Sequence, residues 1–144
     1  MTDRATERIT IDATPERCFE VALDFERYPE WAADIKDVKV LDRDDEGRGI
    51  RVSYRAAAMG RSAHYTLAYE YGDDPRSMRW VLEEGDIMRQ LDGEYRFEPA
   101  GDGTEVTYEL VVELVIPLLG FIKRRAESKI MGTALRELKR RAES

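Results

Sequence analysis

A chain of 144 residues with 42% hydrophobic and 37% charged residues is long enough to bury a core and too apolar to remain disordered. The net charge is −7, although from Leu118 onward eight basic residues stand against three acidic ones, so the body before it is strongly acidic. That body argues against nucleic-acid binding, where phosphate contacts dominate affinity, and a single cysteine and a single histidine leave no internal disulfide or cysteine-based zinc site.

The chain opens on polar Met1-Thr2-Asp3-Arg4, with no apolar signal region. Ile9 and Ile11 mark a first strand between Glu7 and Ala13. Thr14-Pro15-Glu16 then starts a short helix: threonine caps, proline suits the first turn and glutamate suits the positive dipole end. That helix buries Cys18, Phe19, Ala22 and Leu23, with Cys18 as a small core residue. Asp24 caps a second short turn over Phe25 to Tyr28, which Pro29 ends.

From Asp37 the period becomes two. Val38 and Val40, then Ile50 to Ala58, then Ala63 to Tyr71, Met78 to Leu82, Leu91 to Phe97 and Val106 to Leu114 alternate with polar residues. The breaks fall at Asp42–Gly47, Met59-Gly60-Arg61, Gly72–Pro75, Glu84-Gly85-Asp86 and Gly101-Asp102-Gly103. A two-residue loop at Gly85-Asp86 predicts Trp80 opposite Leu91 and Arg79 opposite Asp92. Around Gly101–Gly103, Phe97 is predicted opposite Val106 and Tyr95 opposite Tyr108. Short connections make these strands an antiparallel meander with one apolar face.

The most apolar run, Leu110 to Ile122, carries Glu113 and Pro117 and is too short to span a bilayer; a cytoplasmic location and no transmembrane segment are expected. Leu118 to Glu143 reads as one long helix, with Leu119, Ile122, Ala126, Ile130, Ala134 and Leu138 as its apolar stripe. A helix of that length needs a large partner surface, which the sheet's apolar face supplies. The expected class is α+β: a curved sheet of six to seven antiparallel strands around a C-terminal helix, with two short helices after the first strand, in a single domain over residues 1–144.

Tyr54, Tyr65, Tyr69, Tyr71, Trp80, Tyr95, Phe97 and Tyr108 share the inner parity. Each buried phenol needs a hydrogen-bond partner, so this many in a dry core is unfavourable. A cavity of roughly 300 Å³ or more between sheet and helix resolves this. Tyr54, Tyr65, Leu67, Tyr69, Trp80, Leu91, Tyr95 and Tyr108 are expected to line it from the sheet, and Leu119, Ile122, Ala126 and Ile130 from the helix. Trp31 is expected as its lid, with the entrance where Trp31, the loop near Met59 and the start of the terminal helix meet. His64 falls on the polar parity as a surface residue. Glu84 and Arg89 are the charged residues with inward parity, near the Gly85-Asp86 rim. No nucleophile–histidine motif or phosphate loop occurs, and no metal or cofactor is expected.

The stretch Asp24-Phe25-Glu26-Arg27-Tyr28-Pro29-Glu30-Trp31, the segments Asp92–Phe97 and Gly101–Tyr108, and the terminal helix together resemble the START-like, or helix-grip, superfamily over nearly the whole chain. The resemblance is to its polyketide cyclase/dehydrase and coenzyme-Q-binding branch. It implies a helix-grip fold and a cavity for a hydrophobic small molecule such as a lipid, isoprenoid or polyketide. Binding without chemistry is the leading expectation. A cyclase or dehydratase is the alternative, with Arg89 and Tyr95 as candidate catalytic residues. The resemblance implies inward arginine, tyrosine or aspartate residues deep in cyclase cavities, whereas the deep positions here are Leu67, Gly93 and Leu110. A third reading has the basic outer face of the terminal helix dock on a protein or an anionic membrane.

Overall fold

The computed structural model describes residues 4–58, 61–115 and 119–144. Strand β1 (Ala5–Ile11) leads into helix α1 (Pro15–Leu23), where Thr14 Oγ1 accepts the Arg17 N–H at 3.1 Å as its cap. A 3₁₀ turn over Phe25–Arg27 and the one-turn helix α2 (Tyr28–Trp31) follow. Six strands then run in sequence: β2 (Ile35–Arg43), β3 (Gly49–Ala58), β4 (Arg61–Asp73), β5 (Arg76–Gly85), β6 (Met88–Ala100) and β7 (Gly103–Leu114). Helix α3 (Gly120–Glu143) closes the chain.

The sheet has seven strands in the order β1-β7-β6-β5-β4-β3-β2, every pair antiparallel. The α+β helix-grip architecture is therefore as expected, and β1 adds the seventh strand beside β7. Phe97 pairs with Val106 and Tyr95 with Tyr108, as the hairpin periodicity requires. The seat of β1 is tight. A Cβ on Gly103 would run into the Ile11 carbonyl oxygen, and buried Thr104 donates its hydroxyl to the Ala13 carbonyl at 2.7 Å.

The β5–β6 register differs from expectation by two residues: Trp80 pairs with Gly93 and Arg79 with Glu94, rather than with Leu91 and Asp92. Pairing of these strands ends there. Beyond it the Leu82 N–H donates to Asp92 Oδ1 at 2.9 Å, and Gln90 Nε2 holds Oδ2 at 2.9 Å, so a carboxylate stands where a strand carbonyl would. A shift of two keeps every side chain on its face, which is why the parity survived the error.

The buried stripe of α3 also differs from expectation. Glu127, Met131, Leu135, Leu138 and Ala142 are buried, whereas Leu119, Ile122 and Ile130 are 65%, 42% and 50% exposed. The reason is geometric. Residues stepping by four drift roughly 40° around a helix with each step. The run Ile122, Ala126, Ile130, Ala134, Leu138 therefore winds half-way round rather than staying on one face. The C-terminal end is clamped to β1 and α1: Lys139 Nζ donates to the Thr10 carbonyl at 2.8 Å, and Glu143 accepts the Asp12 N–H at 2.7 Å.

Candidate functional site

Between the concave face of the sheet and the second half of α3 lies a cavity of about 210 Å³. This is smaller than the roughly 300 Å³ expected from the sequence; α1 and the 3₁₀ turn after it occupy one end of the trough with buried Phe19, Ala22 and Phe25. Tyr54, Tyr65, Leu67, Tyr69, Trp80, Leu91, Tyr95 and Tyr108 all line it from the sheet. Strand alternation alone accounts for their convergence.

Trp31 lines the cavity from α2, half-buried, with its ring 5.0 Å from that of Tyr28. Tyr28 itself donates its hydroxyl to the Ala22 carbonyl at 2.5 Å, which fixes the one-turn helix over the trough. From α3 the lining comes from Ile130, Thr133, Ala134, Glu137 and Leu138. Leu119, Ile122 and Ala126 are not among the lining residues: Leu119 is the N-cap of α3 and the other two lie in its first two turns, with Leu119 and Ile122 exposed. Of the expected entrance, Met59 falls outside the described residues, and the start of α3 does not contribute: the helix residues at the cavity come from Ile130 onward.

Sequence reasoning missed Thr133 and Glu137. The signal was present: Ile130, Thr133, Ala134, Glu137 and Leu138 fall at i, i+3, i+4, i+7 and i+8, one helix face. Counting only apolar residues concealed it. Glu137 Oε2 accepts the Ala33 N–H at 3.1 Å, tying α3 to the segment after α2 at the cavity mouth. Asp34, exposed, lines the same mouth.

The phenols settle their hydrogen bonds in three ways. The Tyr54 and Tyr69 hydroxyls bond each other at 2.5 Å. Tyr71 donates to the Gly49 carbonyl while the Arg48 guanidinium lies 4.7 Å from its ring centre. The Tyr65 hydroxyl has no hydrogen-bond partner among the described residues, and its ring stacks on Tyr54 at 5.2 Å. Burial pushes the phenols of Tyr54, Tyr69, Tyr95 and Tyr108 well above the usual range, so they stay protonated and act as hydroxyl donors. Trp80 stands at the centre of this aromatic lining, 5.3 Å from Tyr95, 5.8 Å from Tyr108 and 5.9 Å from Tyr69.

Arg89 and Glu84 do not reach the cavity. A bulge between Met88 and Gln90 turns Met88 inward and leaves Arg89 exposed, and Glu84 is exposed beside Thr66. The sequence could not show this, because one extra residue reverses the parity. Arg89 is therefore not placed to act with Tyr95. His64 is exposed, 3.3 Å from Asp86. Among the described residues no His, Cys, Asp and Glu cluster suited to a metal occurs, and no helix is long and apolar enough to cross a membrane.

The sequence matches the family described as polyketide cyclase / dehydrase and lipid transport over residues 2–143. A START superfamily protein from Mycobacterium smegmatis is similar in fold, at 23% identity and a TM-score of 0.91, with 97% of each chain covered. A protein from Thermus thermophilus is 28% identical, with a TM-score of 0.81 and 97% of each chain covered. The ZhuI aromatase/cyclase from Streptomyces sp. R1128 is 15% identical with a TM-score of 0.81, covering 99% of this chain and 94% of its own. No curated protein matches the sequence.

Proposed function

The chain belongs to the polyketide cyclase / dehydrase and lipid transport family of the START-like superfamily, and on that footing we propose that it is a single ligand-binding domain holding a compact hydrophobic small molecule, of lipid, isoprenoid or polyketide-like character, between sheet and α3. The observation that carries this reading is the aromatic cavity of about 210 Å³. At the packing density of protein interiors it leaves roughly 150 Å³ for ligand atoms, about two fused rings. Apolar walls with a few convergent polar groups are the usual make-up of a small-molecule site.

Catalysis has less support. The inward phenols hold their protons, and Arg89 lies outside on its bulge. A general base within reach of a bound ring is required for cyclisation or dehydration, and the carboxylates that line the cavity, Asp34 and Glu137, stand only at its mouth. Docking through the basic face of α3 is the other reading: Lys123, Lys139 and Arg141 pair with Glu127, Glu143 and Glu30 at 3.6, 2.6 and 3.1 Å, whereas Arg124, Arg125, Lys129 and Arg140 are exposed with no ion pair among the described residues.

Native mass spectrometry of the purified protein, with organic extraction of anything bound, tests the proposal. The expected result is a small-molecule adduct that is lost in Ala134→Phe, which fills the cavity from the helix side, while the variant keeps a cooperative thermal transition. An adduct retained in a folded Ala134→Phe would place the binding elsewhere.

A further inference from the structure

The cavity's hydrogen-bonding groups are distributed by type along its length. Its mouth is lined by two carboxylates, Asp34 and Glu137, together with the hydroxyl of Thr133. No lysine or arginine lines it among the described residues. Two cations border the mouth from outside, both exposed and both engaged on neutral oxygens: Lys36 Nζ donates to the Ala33 carbonyl at 2.7 Å, and Arg136 to Thr133 Oγ1 at 3.4 Å. Glu137 has one oxygen on the Ala33 N–H, which leaves the other free to accept.

The interior offers the opposite. The Tyr54–Tyr69 bond uses one of two hydroxyl hydrogens, and neither oxygen has a second partner among the described residues. One O–H is therefore left to donate. The Tyr65 hydroxyl beside it is a second donor without a partner among the described residues. A group with an accepting oxygen is matched inside, and a group with a donating hydrogen is matched at the mouth. A carboxylate fits neither end. Inside it loses hydration in a trough with no lining cation, and at the mouth it meets like charge on a chain of net charge −7.

Resting on the binding reading above, we propose that the cavity selects neutral or cationic ring compounds that donate a hydrogen bond at the Asp34–Glu137 mouth, and discriminates against carboxylates of the same size. Thr133 then serves as a neutral contact between the two carboxylates, and Tyr54 and Tyr69 set the inner end of the ligand.

Isothermal titration of the full chain with 2-naphthol, 2-naphthylmethylamine and 2-naphthoate at neutral pH tests the proposal, because the three share one ring system and differ in the polar group. Naphthol and the amine are expected to bind about tenfold more tightly than naphthoate. In Asp34→Asn/Glu137→Gln the gap should narrow to about threefold. Raising the salt on the unaltered protein should narrow it as well, since an exposed carboxylate at the mouth is screened; this second measurement stands if the double variant folds poorly. Naphthoate binding as tightly as naphthol, or a gap unchanged by both the substitutions and salt, would overturn the proposed selectivity while leaving the cavity a binding site. Failure of all three and of naphthalene to bind would overturn the binding reading itself.

Discussion

The ring of Trp80 lies against the bare backbone of Gly93, its partner across β5 and β6: a Cβ placed on Gly93 would come 2.5 Å from Trp80 Cζ2 and 2.8 Å from the Glu109 carbonyl oxygen. Both neighbours are constrained, one as backbone and the other as a ring wedged among Tyr69, Tyr95 and Tyr108. Gly93→Ala is therefore expected to cost about 1–3 kcal/mol through overpacking and to push Trp80 into the cavity. Urea unfolding measures the first effect; weaker binding of 2-naphthol measures the second. A variant as stable as the parent would mean that the ring has room to move.

Removing one hydroxyl of the Tyr54–Tyr69 pair leaves the other oxygen buried without its partner. Tyr54→Phe and Tyr69→Phe are each expected to destabilise by about 1 kcal/mol, and the double variant by clearly less than the sum. A double-mutant cycle from chemical denaturation measures the coupling. Strict additivity would show that the two phenols are satisfied independently.

All seven tyrosines have phenols raised by burial above the ordinary value of 10.0. Below pH 10 both folded and unfolded chains keep these protons, and the stabilisation is complete. Above it the unfolded chain loses protons that the folded chain holds, so stability falls as pH rises. Phenolate absorbance and loss of circular dichroism are thus expected to appear together as one alkaline transition. Phenolate formation near pH 10 with native dichroism intact would contradict the burial.

Glu127 is 5% exposed, and its Oε2 has no hydrogen-bond partner among the described residues, with Lys123 Nζ at 3.6 Å. A buried carboxylate so weakly compensated costs stability. Glu127→Leu is expected to stabilise by roughly 1 kcal/mol, read as a higher melting temperature. A lower melting temperature would show that the carboxylate serves a contact essential to α3.

Arg89→Ala is expected to leave naphthol binding unchanged and to shift stability by less than about 0.5 kcal/mol, as for an exposed residue away from special features. A marked loss of binding would return Arg89 to the site.

What the sequence made legible follows from what period-two patterning encodes. The faces of Tyr95, Phe97, Val106 and Tyr108 were readable because β6 and β7 pair without irregularity from Gln90–Glu113 to the Ala100–Gly103 turn. Arg89 was misread because a bulge inverts parity without leaving a trace in composition. The offset at Trp80 was invisible because Asp92 replaces a backbone acceptor, which alternation does not register. On α3 a stripe defined by apolarity alone selected Ile122 and Ala126, while the residues that reach the cavity include Thr133 and Glu137. Functional positions on a helix are often the polar interruptions of its buried face, and a hydrophobicity pattern treats these as noise.

The short seam between β5 and β6 has a mechanical consequence. On one side, β6 pairs with β7 along nearly its full length and β7 with β1, which carries the clamped end of α3. On the other, β5, β4, β3 and β2 pair along most of their length, with irregularities in β2 and between Thr66 and Leu67 of β4. The ladder between the two panels runs only from Arg76–Phe97 to Trp80–Gly93, with the Leu82–Asp92 side-chain bond beyond it, and that junction runs through the cavity wall. Among the described residues, parting the sheet at this seam breaks fewer ladder pairs than parting it at any other strand junction, so its amides are expected to exchange with solvent before those of the other ladders.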